Sequence, residues 1–153
     1  MNTELALRAF IETKAALVEK NGGPWDLGPQ LDVGEHGGMR TVAMLPDTED
    51  IAHYAGLVIQ AAGGDVQELI LLCDTYTQSE GEPLELGTLG AAHEAGDPRV
   101  YESLVALAVA RGGEEELCTV RYRYQDGRVL FDEIETSAPQ AGYSLHELRR
   151  AWA

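Results

Sequence analysis

The sequence predicts one α+β domain over residues 1–153, built on a mixed sheet of about five strands, and three observations carry that expectation. An apolar stripe at helical spacing over residues 51–62 sits between two strand-like runs, the pattern of a parallel β-α-β unit. Turn signals at Arg111-Gly112-Gly113-Glu114 and Asp126-Gly127 separate three later runs, the pattern of an antiparallel meander. The composition, 44% apolar and 24% charged, is that of a folded globular chain, and 153 residues suffice for one core. The main helices, N-terminal and crossover, are expected on one face of the sheet, with a short C-terminal helix completing the set.

From Thr3 to Lys20, Leu7, Phe10, Ile11, Leu17 and Val18 recur at helical spacing, and Asn21-Gly22-Gly23-Pro24 supplies a left-handed cap and a proline stop. Residues 22–38 hold six glycines and two prolines and read as a loop that pins Trp25 on the surface of the core. Met39–Leu45 alternates as the first strand. Pro46-Asp47 ends it, with Asp47 as helix N-cap and Glu49 and Asp50 as first-turn acids. Ile51, Tyr54, Ala55, Val58, Ile59 and Ala62 form the helix stripe, and Gly63-Gly64 stops it.

Val66–Thr77 contains Leu69-Ile70-Leu71-Leu72-Cys73, a continuous apolar run expected in a strand covered on both faces and parallel to the first. Leu71, Leu72, Cys73, Val58 and Leu107 are therefore expected in the core. Residues 78–99 are polar, with a helical turn around Leu89–Glu94. Asp97-Pro98 resembles a helix start, while Leu104–Val109 reads equally as a buried strand; the turn at 111–114 favours the strand, followed by strands at Leu117–Tyr124 and Val129–Ile134. Ser144-Leu145-His146-Glu147 is a capping box, and Leu145, Leu148 and Trp152 share one face of the helix it opens.

Charge bounds the function. The 26 acids and 11 bases give a formal charge of −15, which repels nucleic acid and anionic membranes. Between Thr41 and Pro98 there are eleven acids and no Lys or Arg. No apolar run approaches the length of a bilayer span, and the first residues open an acid-containing amphipathic helix rather than a basic leader, so a cytoplasmic protein is expected. Cys73 and Cys118 lie in apolar strands without metal spacing and are expected as reduced thiols.

The segments Ala95-Gly96-Asp97-Pro98-Arg99-Val100 and Arg121-Tyr122-Arg123-Tyr124-Gln125-Asp126-Gly127-Arg128-Val129 resemble uncharacterised small acidic proteins encoded by actinobacteria and their phages. The resemblance covers roughly the C-terminal half, implies a strand, turn and strand in the second segment, and brings no activity with it. The resemblance to phage proteins implies a host or defence factor as the partner.

The motifs give no catalytic residue and no cofactor site. Gly34-Glu35-His36-Gly37-Gly38 precedes a strand and lacks the Gly-Lys-Ser/Thr of a phosphate loop, and the four histidines are scattered without metal spacing. Cys73 sits in the most apolar run, unsuited to nucleophilic work. At the carboxyl ends of parallel strands, Asp47, Asp50 and Asp74 would be placed to hold a divalent cation, although Asp47 and Asp50 are also ordinary helix-start residues. Arg121 and Arg123 alternate with Val120, Tyr122 and Tyr124 and are expected to pair with Asp132 or Glu133 across the hairpin. The leading expectation is a non-catalytic acidic module that binds a basic protein partner through Glu80, Glu82 and Glu85, with nucleic-acid mimicry as a sharper form. The alternative is a small metal-dependent hydrolase built on the three aspartates.

Overall fold

The computed structural model describes residues 1–35, 38, 40–62, 65–79, 88–139 and 143–152. Its elements are α1 (Thr3–Asn21), β1 (Gln30–Glu35), β2 (Arg40–Met44), α2 (Ile51–Ala61), β3 (Val66–Gln78), α3 (Leu89–Glu94), β4 (Val100–Ala110), β5 (Glu115–Gln125), β6 (Arg128–Phe131), β7 (Glu135–Ser137) and α4 (Tyr143–Arg150). The strands form one curled sheet, a half-barrel, in the order β2-β1-β3-β4-β5-β6, with β7 also on β5.

Every ladder is antiparallel, which corrects the expected mixed sheet with a parallel β-α-β unit. The strands before and after α2 do not pair. β1, from the segment read as loop, inserts between them, with Leu31 opposite Ala43 of β2 and Leu71 of β3. Its burial makes the insertion favourable, since Leu31 and Val33 are fully buried and two neighbouring strands satisfy its backbone. Gly34 leaves room for the ion pair that crosses it: a Cβ there would lie 2.9 Å from the Arg40 guanidinium and 3.2 Å from the Glu68 carboxylate. Arg40 in turn neutralises Asp32 at 2.8 Å and Glu68 at 3.2 Å, so the acid in β1 is tolerated in a half-buried sheet.

Alternation along the strands separates two cores. Ile70, Leu72, Leu104, Ala106, Cys118, Val120 and Tyr122 face α1, which contributes Ala6, Leu7 and Phe10. Leu31, Val33, Leu69, Leu71 and Val109 face α2 and α4, which contribute Ile51, Ala55 and Leu148. The helices thus cover both faces of the sheet, not one. Of the expected core residues, Leu71 and Leu72 are buried, whereas Val58, Cys73 and Leu107 are partly exposed and pack at the edge of the second core.

β4 is strand from Val100 to Ala110, not helix, because it pairs with β3 over that whole length and with β5 from Ser103 to Val109. Asp126-Gly127 makes the β5–β6 turn, both residues with positive φ (53° and 75°), the form that matches strand twist. A Cβ on Gly127 would stand 3.2 Å from the carbonyl oxygen of Gly22, so this turn abuts the end of α1. Asp47 accepts the Glu49 N–H at 2.9 Å, while α2 starts at Ile51; the aspartate closes a turn ahead of the helix instead of capping it. Ser144 lies inside α4, and Glu147 accepts the Ala52 N–H and pairs with Arg150, so the expected capping box instead ties α4 to α2. No helix among the described residues is long and apolar enough to cross a membrane.

Candidate functional site

A buried polar cluster lies between α1 and the sheet. Lys14 occupies the inward face of α1 with Leu7, Phe10 and Val18, and its side chain is 0% exposed, against 2% for Asp74 of β3. Its ammonium donates to the Asp74 carboxylate at 2.6 Å, the Tyr124 hydroxyl at 2.6 Å and the Trp25 carbonyl at 2.5 Å. An ammonium has three N–H donors, and all three are used. Asp74 also accepts the Leu27 N–H at 2.9 Å and the Tyr122 hydroxyl at 2.5 Å. The rings of Tyr122 and Tyr124 stand 4.6 and 5.1 Å from the ammonium, adding cation–π attraction. Burial by itself lowers the Lys14 pKa, but the hydrogen bonds and charges of Asp74 and Tyr124 outweigh it and leave the pKa raised. Burial, then Asp74, drives the Tyr122 phenol far above its ordinary range. This network holds its protons and fixes α1 on the sheet. Trp25 contributes its backbone carbonyl, and its side chain is half exposed.

Beside this cluster the sheet divides. The β4–β5 ladder ends at Ser103 opposite Arg121. Beyond it β4 follows β3 as far as Val100 opposite Gln78, while β5 follows β6 from Tyr122 opposite Phe131 to Gln125 opposite Arg128. The cause lies in α1: Val129 and Phe131 of β6 and Tyr124 of β5 pack against its core, and Lys14 holds the Tyr124 hydroxyl. The β5–β6 hairpin therefore curls over α1 and parts from β4.

Two adjoining cavities occupy the fork. One, of about 420 Å³, is lined by His93, Glu102, Tyr122, Arg123 and Tyr124 among others. The second, of about 830 Å³, extends over Thr119, Phe131, Glu133 and Glu135. Tyr101, Arg121 and Asp132 line both. Arg121 does not pair with Asp132 or Glu133 as expected; its guanidinium lies on the Tyr101 ring, 4.5 Å from the centroid. All eleven Lys and Arg residues are among those described, yet none forms an ion pair with Glu102, Asp132, Glu133 or Glu135. Glu102 is half-buried, and burial raises its pKa, only partly offset by His93 and Lys14. Below the fork, Asp97 receives both the backbone and the side chain of Arg99, which fixes the entry to β4 and lowers the Asp97 pKa to about 2.

The aspartates considered for a metal are not brought together. Asp74 is enclosed by Lys14 and Tyr122, whereas Asp47 and Asp50 lie on the exposed approach to α2. No group of three or more potential ligands occurs among the described residues. Glu80, Glu82 and Glu85 lie outside the described residues. Cys73 and Cys118 are free thiols, and burial pushes the Cys73 pKa up to about 11, which suits a packing role over a nucleophilic one. The fork was not foreseen: Glu102 and Tyr101 lie in a run read for its apolar core, and the signal for them was the polar start of β4. No protein-family model, curated protein or solved structure matches this chain.

Proposed function

We propose that the protein is a non-catalytic binding module that captures a basic segment of a protein partner in the fork between β4 and β5. The observation that carries this reading is the set of cleft carboxylates, Glu102, Asp132, Glu133 and Glu135, left without a Lys or Arg ion pair while the nearby Arg121 stacks on Tyr101. Unpaired carboxylates around a concavity attract a cationic group, and a net charge of −15 steers it there. Their arrangement around a cleft, instead of along a straight row, favours a basic segment over imitation of a duplex. The Lys14 cluster supports a binding role as well, since its ammonium has no N–H left to donate and its Asp74 partner is already triply bonded.

The test is fluorescence anisotropy with short labelled peptides, one alternating Arg and Thr and one alternating Glu and Thr. The basic peptide is expected to bind, more weakly as salt rises, and the acidic peptide not to bind. Combined Asp132→Asn, Glu133→Gln and Glu135→Gln should weaken binding at least tenfold with little change in thermal midpoint, because these side chains are exposed. Equal affinity for the triple variant, or no binding of the basic peptide at low salt, would overturn the reading.

A further inference from the structure

We infer that the partner segment enters the fork as an extended strand that adds to the open edge of β5 at residues 122–125, presenting Arg or Lys at alternate positions. The inference rests on the reading of the fork as a site for a basic segment and gives that segment a conformation and a pattern.

The argument starts from the ladders. Residues 122–125 of β5 are paired with β6 on one edge, and on the other the ladder to β4 has already ended at Arg121. Two strand edges thus face each other across the opening without pairing, and an unpaired edge is a template for an incoming strand. The smaller cavity lies between these edges. Its lining includes Tyr122, Tyr124 and Glu102, which point to the α1 side, together with Tyr101, Arg121 and Arg123, which alternate to the other side. Residues of both faces line one space only where the strands have separated, so the gap passes through the sheet.

Charge then sets the pattern of the incoming strand. On the α1 side, a cationic side chain would meet the half-buried Glu102 carboxylate in a cavity that Tyr124 also lines, combining an ion pair with cation–π attraction. On the opposite side, exposed Arg121 and Arg123 repel a cation along the β5 edge, while Asp132, at the junction of the two cavities, and Glu133 and Glu135, in the wider one, attract it beyond residues 122–125. Successive residues of a strand alternate between faces, so basic residues are favoured at every second position, with small or polar residues between.

Strand addition and simple charge capture are separated by backbone methylation. The alternating Arg and Thr peptide is compared with two derivatives, N-methylated on the odd or the even backbone amides, and with an isomer in which the Arg residues are adjacent. We expect one methylated derivative to bind at least tenfold more weakly than the parent and the other to lose less, because one edge of the added strand pairs with residues 122–125 of β5 and the other faces only the shorter open edge of β4 at residues 100–102. The adjacent-Arg isomer should also weaken, and bound parent peptide should slow amide exchange within residues 122–125. If both methylated derivatives bind as tightly as the parent, strand addition is refuted while capture of a basic segment stands. If none of the basic peptides binds, both fall.

Discussion

Replacing Lys14 by Met removes a cation whose side chain is 0% exposed and leaves Asp74, 2% exposed, without its counter-ion. The Leu27 N–H and Tyr122 hydroxyl would still bond the carboxylate, but neither neutralises it. Breaking a buried pair from one side costs about 3–5 kcal/mol, a large part of a total stability of roughly 5–15 kcal/mol. For a chain of this length that is a fall of roughly 6–20 °C in thermal midpoint. Urea unfolding followed by tryptophan fluorescence measures it.

Adding Asp74→Asn should then recover part of the loss, since it removes the stranded charge and keeps an acceptor for Tyr122. The coupling between the two changes is expected at about 0.5–3 kcal/mol. The pH dependence has a definite sign. The Lys14 pKa is raised in the fold from 10.5, so its stabilisation is complete below 10.5 and is lost as pH climbs through the higher folded value. The gap between wild type and Lys14→Met should be fully present at neutral pH and narrow in strong alkali. A loss below about 1 kcal/mol, the size of an ordinary surface change, or strict additivity of the two substitutions, would refute the account of this cluster.

Glu102→Gln should raise the urea midpoint at pH 7 while weakening capture of the basic peptide. The folded pKa of Glu102 lies above 4.5 because burial penalises its charge. That cost is present above the folded pKa and absent below 4.5, so the two proteins should converge on acidification; a variant less stable at neutral pH would count against this. Gly127→Ala should destabilise by about 1 kcal/mol or more, because φ is 75° and the new methyl would meet the Gly22 carbonyl. An unchanged unfolding midpoint would show that the β5–β6 turn relaxes freely away from α1.

Local pattern determined the helix faces and most of the strands. The periodicity of Leu7, Phe10 and Val18 or of Ile51, Ala55 and Val58 reports which side of a helix is apolar, and the turns at Gly112-Gly113 and Asp126-Gly127 report where a chain reverses. These signals lie within a few residues of the structure that they specify. Tertiary structure alone decided that β1 enters between β2 and β3, because strand order depends on which edges remain open, and the Asp32 and Gly34 that weakened its strand signal are compensated by Arg40, which lies on another strand. It also decided the fate of Lys14, since a lysine is almost never buried unless it is paired, and here Asp74, Tyr124 and the Trp25 carbonyl hold it inside. The fork follows from the same long-range contacts: β4 and β5 read as a regular hairpin, and their separation arises only when β6 closes over α1 and draws β5 with it.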